Sequence, residues 1–201
     1  MIIAIDGPAG AGKGTIAKLL AEKLNYAYLD TGLIYRAVAS KWMHQQSVAA
    51  ADIAAALTPE DMDAEGLRTP AVAEAASKIA SIPRVREALL VFQRHFAQHP
   101  PSGKKGAVLD GRDIGTVICP DAPHKFFLTA TPEIRAERRF KELQATGDPT
   151  PFATVLAAVK ERDDRDSNRA TAPLKPAADA IIIDTSTKSI EAVLAEVLEN
   201  L

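Results

Sequence analysis

A glycine-rich segment near the start of the chain constrains the fold more than any other feature. It reads Gly7-Pro8-Ala9-Gly10-Ala11-Gly12-Lys13-Gly14-Thr15, and it lies between a short β-branched run at residues 2–5 and a helical pattern that carries Ile16, Leu19, Leu20 and Leu24. Glycines let the backbone curl so that successive N–H groups converge on phosphate oxygens, and the start of a helix adds partial positive charge. The strand, loop and helix together predict a phosphate-binding loop, against the alternative of a glycine-rich turn with a surface lysine.

Lys13 is placed to bridge the β- and γ-phosphates of a nucleoside triphosphate. The hydroxyl residue that usually follows this lysine is replaced by Gly14, and Thr15 stands one place later. Mg²⁺ gives up its water reluctantly, so we expect the ion to be held through water and ATP oxygens, with no direct protein ligand. Asp110, at the end of a later apolar run, is the candidate to orient a magnesium-bound water.

Four further apolar runs predict buried strands, at Tyr26–Leu29, Ala107–Asp110, Lys125–Ala130 and Ala180–Asp184. Helical segments are expected after Thr131-Pro132, around Phe152 and from Ser189. This alternation predicts a single α/β domain over residues 1–201, with a doubly wound parallel sheet. Residues from about 37 to 105 break the rhythm and predict a helical insertion, and residues from about 139 to 160 predict a small mobile lid.

The bulk composition excludes several functional classes. The 201 residues carry 24 basic and 26 acidic side chains, for a net charge of -2, so we expect no nucleic-acid partner and no anionic membrane partner. Cys119 is the single cysteine, so no internal disulfide can form. No window of about 18 apolar residues predicts a membrane span, and no export signal is evident at the N-terminus. We expect a cytoplasmic monomer.

A phosphate-binding loop alone is compatible with GTPases, motors, transporters and kinases. The three asparagines, Asn25, Asn168 and Asn200, are not followed by lysine, so the guanine-reading element of GTPases is absent. No apolar run ends in Asp-Glu, which is the arrangement that ATP-hydrolysing motors usually offer to magnesium and attacking water. Phosphoryl transfer to a second substrate is therefore favoured over hydrolysis.

Three arginine-bearing segments follow predicted strands or lie on predicted helices. They are Leu29–Arg36, Leu109–Thr116 and Lys160–Arg169. Arg36 and Arg112 are placed to fork onto phosphate, since open α/β sheets bind ligands beyond the carboxyl ends of their strands. In the third segment Arg162, Asp166 and Arg169 are spaced at i, i+4 and i+7, which predicts that they share one helical face. Read singly, each arginine is equally compatible with a solvated surface charge.

The predicted helix after Pro132 carries Arg135, Arg138 and Arg139 just before the Gly147–Pro151 connection. These arginines are candidates to close over ATP, and the alternative is an exposed amphipathic helix. A donor loop together with several arginines is what phosphoryl transfer requires, because the transferring group is stabilised by positioning and charge more than by covalent chemistry.

Beyond these general features, the chain resembles the bacterial cytidylate kinase family over nearly its whole length. The matching segments are Gly7–Thr15, Leu29–Arg36, Ala75–Ser77, Pro83–Leu89, Asp110–Thr116, Lys160–Arg169 and Ala172–Leu174. The resemblance implies a P-loop nucleoside monophosphate kinase that uses Mg-ATP and CMP or dCMP. It also implies that Thr31, Ser77, Arg86, Asp113 and Arg169 bind the cytidine nucleotide, that Arg162 and Asp166 hold its ribose, and that Arg36 and Arg112 grip its phosphate.

The resemblance is incomplete in the insertion. The family usually has a small antiparallel sheet there, whereas residues 44–68 are short and Ala-rich, so we expect that sheet to be reduced or lost. Two alternatives therefore stay open. The acceptor is another nucleotide or a metabolite alcohol, or the chain is a non-catalytic ATP sensor. An acceptor panel separates all three hypotheses.

Overall fold

A five-stranded parallel sheet forms the centre of the molecule. The computed structural model describes residues 1–201, and its strands are β1 (Ile2–Asp6), β2 (Ala27–Asp30), β3 (Ala107–Gly111), β4 (His124–Thr129) and β5 (Ile181–Asp184). Their order is β2-β3-β1-β4-β5, and every neighbouring pair is parallel. The strand predictions and the doubly wound α/β class are confirmed.

The strand register brings the ends of three strands together. Asp6 of β1 pairs beside Gly111 of β3, and Asp30 of β2 pairs beside Asp110. Parallel strands place their carboxyl ends at one edge of the sheet, so the loops that follow these residues meet there. The phosphate loop after β1 therefore lies next to the end of β3 at Asp110 and the residues that follow it, up to Asp113.

Eight α-helices flank the sheet or extend from it. They are α1 (Lys13–Leu24), α2 (Thr31–His44), α3 (Ala50–Ala55), α4 (Pro70–Ile79), α5 (Pro83–Gln98), α6 (Pro132–Ala145), α7 (Phe152–Asn168) and α8 (Ile190–Glu199). Helix α8 begins where the sequence predicts, with Ser189 as its cap through the Ala192 N–H, and Asp30 caps α2 through the Leu33 N–H. A π-helical turn at Ile114–Ile118 follows β3 directly.

Two hydrophobic layers cover the two faces of the sheet. Ala4 and Leu109 pack with α2, α4 and α5 on one face, whereas Ile3, Ile5 and Val108 pack with α1 and α8 on the other. Adjacent strand residues therefore point into different layers, as the two-residue period of a strand requires. A third, smaller cluster around Ala136, Leu143 and Val155 joins α6 to α7.

The predicted insertion contains the end of α2 and the whole of α3, α4 and α5, with short 3₁₀ turns at Pro59–Asp63 and Pro101–Gly103. Its expected start at residue 37 falls inside α2, so one continuous helix runs from the sheet into it. No strand occurs between residues 44 and 68, as the Ala-rich sequence predicts. No helix is both long enough and apolar enough to cross a membrane.

The third arginine segment differs from its prediction. Helix α7 ends at Asn168, and Arg169 has extended backbone angles, so Arg169 does not share a helical face with Arg162 and Asp166. Beyond the helix end, the N–H of Leu174 donates to the Asp166 carbonyl at 2.8 Å, which holds the following chain against the last turn of α7. The side chain of Arg169 still lies 3.6 Å from the carboxylate of Asp113, which it reaches from the loop.

Candidate functional site

The phosphate loop has its carbonyl groups occupied and its N–H groups free. Arg135 donates to the Ala9 carbonyl, Arg138 to the Gly10 carbonyl and Thr185 to the Ala11 carbonyl. By contrast, the backbone N–H groups from Gly10 to Thr15 have no acceptor within the protein. A row of unpaired N–H groups at a helix start is a ready site for phosphate oxygens.

Glycine is required where the loop leaves β1. Gly7 has a φ of 145°, and a Cβ atom at this position would lie 1.9 Å from the Leu128 carbonyl oxygen. Gly10 and Gly12 adopt left-handed backbone angles, with φ values of 78° and 85°. The loop therefore curls tightly against β4 in a conformation that other residues resist.

Lys13 is buried at the start of α1, and its Nζ donates to the Pro8 carbonyl at 2.8 Å. Burial and, to a smaller extent, the charge of Arg112 lower the pKa of Lys13 to about 7, although Asp110 and Asp6 oppose the shift. A buried ammonium group that is only marginally charged gains from a nearby anion. Lys13 is thus poised to take up the negative charge of a triphosphate.

Asp110 ends close to the position where a hydroxyl residue would follow the lysine. A Cβ atom on Gly14 would lie 3.6 Å from Tyr28 Oη and 3.8 Å from Asp110 Oδ2. Tyr28 donates to the other carboxylate oxygen of Asp110 at 2.9 Å. Burial raises the pKa of Asp110 to about 6, with Asp30 adding to the shift and Lys13 opposing it.

These contacts test how well the site suits magnesium. Within the structure, no three acidic, histidine or cysteine side chains are grouped so that they could hold a metal ion. Asp110 is one buried carboxylate whose Oδ2 faces Gly14, on the same side as the loop. This donor set fits an ion that keeps most of its ligands as water and phosphate oxygens.

Arg36, Arg112 and Arg162 form a cationic cluster beside Lys13. Arg112 and Arg162 both lower the pKa of Lys13, and Arg112 and Arg36 lower the pKa of Arg162 to about 10 after the larger effect of burial. Such mutual effects require the four groups to share one region. Arg112 and Arg162 therefore lie near Lys13, and Arg36 lies near Arg112 and Arg162.

The cluster is only partly neutralised by the protein. Arg112 Nε donates to Asp166 Oδ2 at 3.0 Å, and Arg36 Nη1 donates to the Leu67 carbonyl at 2.9 Å. Arg162 Nε lies 3.9 Å from Asp166 and is buried without a hydrogen-bond partner. Buried polar groups normally find a partner, so this nitrogen indicates a missing acceptor, such as an anionic ligand.

Asp113 and its neighbours form a second polar group, on the α5 side. Asp113 accepts from Arg86 Nη2, both side chains are buried, and Arg169 lies on the other carboxylate oxygen. Burial raises the pKa of Asp113, whereas the charges of Arg86 and Arg169 lower it. The Arg86 guanidinium also lies 5.8 Å from the centre of the Tyr35 ring. Ser77 is buried on α4 and accepts from Arg165 Nη1 at 3.0 Å.

The arginines of α6 have three different environments. Arg135 is buried, and two of its nitrogens donate to the carboxylate of Asp163 on α7. It therefore links α6 to α7. Arg138 reaches the Gly10 carbonyl and Thr185. Arg139 pairs with Glu142 and lines a cleft of about 600 Å³ between α6 and residues 62–70.

Sequence reasoning missed several residues that shape the site. Thr31 was expected to contact substrate, and it donates to the Asp110 carbonyl at 2.7 Å. Asp6, Tyr28, Arg165 and Thr185 were not singled out. The contacts of Asp6 with Ile114, of Tyr28 with Asp110, of Arg165 with Ser77 and of Thr185 with Ala11 each join residues more than 80 positions apart, so they depend on how the strands and helices pack. The position of Asp6 at a strand end was the one available signal.

A profile of the family described as Cytidylate kinase matches residues 3–201. A protein of that name from Paramagnetospirillum magneticum is 57% identical, over 98% of this chain and 95% of the relative. Another, from Azorhizobium caulinodans, is 52% identical over 98% of this chain and 96% of its own length. A third, from Rhodospirillum rubrum, is 50% identical over 100% of this chain and 97% of the relative.

A crystal structure of an uncharacterized protein from Eubacterium ventriosum has a similar architecture. It superimposes with a TM-score of 0.57 at 18% identity, covering 99% of this chain and 96% of that protein. At this identity the likeness supports the fold alone.

Proposed function

Because the chain belongs to the cytidylate kinase family, we propose that the Gly7–Thr15 loop holds ATP and that the arginine cluster beside Lys13 receives the acceptor nucleotide. The protein transfers the γ-phosphoryl group of ATP to CMP or dCMP, giving ADP and CDP or dCDP. The observation that carries the site assignment is the convergence of Arg112 and Arg162 on Lys13, with Arg162 Nε left without a partner.

On the donor side, the free N–H groups from Gly10 to Thr15 bind the phosphate oxygens of ATP. Lys13 exchanges its contact with the Pro8 carbonyl for the β- and γ-phosphates and follows the charge that moves between them. Arg138 and Arg139, on α6, complete the ATP site from the lid side. Arg138 already touches the loop through the Gly10 carbonyl, which supports this assignment.

On the acceptor side, Arg36 and Arg112 bind the phosphate of CMP and neutralise part of its charge. An oxygen of that phosphate attacks the γ-phosphorus in line, the bond from phosphorus to the β–γ bridging oxygen breaks, and ADP leaves with that electron pair. Arg162 faces both phosphates, and Asp166 with Arg162 holds the ribose. No side chain of the protein forms a covalent intermediate.

Base selection is assigned to Ser77, Arg86, Asp113 and Arg169. Cytosine offers an amino donor that a carboxylate accepts, and a carbonyl and a ring nitrogen that accept from an arginine. Uracil presents a carbonyl where cytosine has its amino group, so Asp113 would lose its partner and face a second acceptor. Sites that leave a buried polar group unpaired reject the wrong ligand strongly.

Magnesium bound together with ATP would supply charge neutralisation of the phosphates. Asp110 is the side chain that would orient one of its waters, and Tyr28 holds that carboxylate in place. The segment from about 139 to 160 is proposed as a lid that excludes water, and residues from about 37 to 105 as the acceptor-binding insertion. The same proposal includes a cytoplasmic monomer with no nucleic-acid partner, consistent with the net charge of -2.

An acceptor panel tests the assignment. Purified protein with Mg-ATP is offered CMP, dCMP, UMP, AMP and GMP, and ADP formation is followed by a coupled assay. CMP or dCMP is expected to exceed UMP by at least about 100-fold in kcat/KM. A faster reaction with UMP or with a non-nucleotide alcohol would refute the base-pocket assignment. ATP binding without ADP formation on any acceptor would instead indicate a sensor.

The Lys13→Met variant, assayed in the same panel, distinguishes the activity of this protein from that of a contaminating kinase. The variant is expected to lose activity with every acceptor, because the lysine acts on the phosphate that is transferred. A residual rate equal to that of the wild-type protein would show that a contaminating kinase produced the ADP.

A further inference from the structure

Asp6 is the last residue of β1, and its side chain does not point into the phosphate loop that it precedes. Its two carboxylate oxygens accept the N–H of Ile114 at 2.8 Å and the N–H of Gly115 at 2.7 Å. These are the first two residues of the π-helical turn at Ile114–Ile118. The carboxylate therefore satisfies donors that the start of a helical turn leaves unpaired.

The opposite end of the same turn is held from α5. Arg94 donates through Nε to the Ile118 carbonyl at 3.0 Å and through Nη2 to the Val117 carbonyl at 2.9 Å. Gly115 leaves no spare room between the turn and the sheet, since a Cβ atom there would lie 3.1 Å from Lys125 Cδ. The turn is thus fixed at both ends by side chains that are remote in sequence.

Holding the carboxylate of Asp6 in this place is costly. Asp6 is buried, burial raises its pKa to about 6, and the neighbouring charge of Asp113 adds to that shift. The bonds from Gly115 and Ile114 and the charge of Lys13 oppose it. A charge buried at such cost is compensated only if its hydrogen bonds are made, so the carboxylate and the turn depend on each other.

Arg112 and Asp113 immediately precede this turn, so the direction of the turn decides where both side chains point. We propose that Asp6 is a positioning residue for the acceptor nucleotide, which holds the π-helical turn so that Asp113 meets the base and Arg112 meets the phosphate. Asp6 touches neither substrate. Because its peptide continues into Gly7, it also fixes the acceptor segment relative to the donor loop. This role rests on the proposed assignment of Arg112 and Asp113.

Asp6→Asn tests the role, because the amide keeps one acceptor oxygen and turns an NH₂ group toward the second backbone donor. The KM for CMP is expected to rise at least about tenfold, because a tenfold change corresponds to the free energy of one charge-assisted hydrogen bond. The Kd for ATP, measured by calorimetry without acceptor, is expected to change less than about threefold. An unchanged KM for CMP, or an equal loss of ATP affinity, would overturn the proposal.

Two companion variants separate positioning from general destabilisation. Val197→Ala removes core contacts on α8, away from the site, and is expected to lower the Tm without raising the KM for CMP. An increase in that KM matching the Asp6→Asn value would overturn the proposal. Arg94→Ala loosens the other end of the turn and is expected to raise the KM for CMP while sparing ATP, so it supplies the test if Asp6→Asn does not fold. An unchanged KM in Arg94→Ala would then count against the role of the turn.

Asp113→Asn, measured beside them, separates the two levels of inference. If Asp113→Asn leaves CMP use unchanged, the base-pocket assignment fails and takes the role of Asp6 with it. If Asp113→Asn impairs CMP use and Asp6→Asn does not, the site assignment stands and the positioning role alone is refuted.

Discussion

Arg86 donates through Nη2 to Oδ2 of Asp113, and each side chain has less than a tenth of its surface exposed. The pair joins α5 of the insertion to the segment that follows β3. Removing either side chain lowers the free energy of unfolding, because the remaining charge would stay buried without its partner. The pair that is proposed to read the base is therefore also part of what holds the insertion against the sheet.

Arg86→Ala is expected to lower both stability and CMP use. The free energy of unfolding should fall by about 3 to 5 kcal/mol, as for other buried pairs that lose one partner. The KM for CMP should rise far more than the Kd for ATP, and the two are measured by steady-state kinetics and calorimetry. Glu196→Gln is the control, because Glu196 of α8 forms a surface pair with Lys188, and it should change stability by less than about 1 kcal/mol. Parallel loss of ATP binding in Arg86→Ala would contradict the separation of the two half-sites.

ATP binding is expected to take up a proton at Lys13. The pKa of Lys13 is about 7 in the protein, so at pH 8 most of the molecules carry a neutral amine. The triphosphate favours the charged form and raises that pKa, so affinity for ATP falls as pH rises above about 7. Calorimetry at pH 8 in HEPES and in Tris measures the uptake, because their ionisation enthalpies differ. Lys13→Met should abolish it, and equal heats in both buffers for the wild-type protein would refute the linkage.

Tyr28→Phe is expected to shift the acid side of the pH–rate profile. The phenol donates to Asp110 and lowers the pKa of a carboxyl group that burial has already raised to about 6. Without that donor the pKa rises further, by about 1 unit for the loss of a hydrogen bond to a charged group. Asp110 then protonates at a higher pH, so as the pH is lowered kcat/KM should begin to fall at a higher pH than in the wild-type protein. A profile identical to that of the wild-type protein between pH 5 and 8 would show that Asp110 does not need to be ionised.

The same chemical change at two glycines of the phosphate loop should have opposite consequences. Gly7→Ala places a Cβ atom against the Leu128 carbonyl and forces the loop away from β4, so ATP binding and stability should both fall sharply. Gly14→Ala meets only ordinary contacts near Tyr28 and Asp110 and removes a glycine from a helix, which should raise stability by about 0.5 to 1 kcal/mol. Thermal unfolding with and without ATP measures both, and equal destabilisation by the two variants would contradict the loop geometry.

Local sequence patterns predicted the elements of this fold well because each depends on nearby residues. The strand at residues 2–6, the loop after it and the helix start at Ser189 follow from periodicity and from a side chain that bonds to its own helix start. The convergence of Arg36, Arg112 and Arg162 was predicted from strand ends and resemblance, not from periodicity.

Contacts that depend on tertiary packing were not predictable in the same way. Arg169 was expected on the helical face of Arg162, but α7 ends at Asn168 and Leu174 folds back to bond with the Asp166 carbonyl, which the helical spacing does not signal. Arg135 was expected in the lid, and its burial against Asp163 follows from how α6 and α7 pack together. Such partners are chosen by the arrangement of whole helices, which a single-residue pattern does not encode.

The pairing of Asp6 with Gly111 across β1 and β3 leaves the substrate-binding loops no freedom to slide along the strands. Adding one residue to either strand would move every later side chain of that strand to the opposite face of the sheet. The apolar side chains would then no longer point into their own hydrophobic layers. Evolution toward a different acceptor is thereby restricted to chain that lies past the strand ends. Directed libraries that seek altered nucleotide preference should randomise the chain after Gly111 and the residues around Ser77 of α4 and Arg86 of α5. They should keep both strands intact.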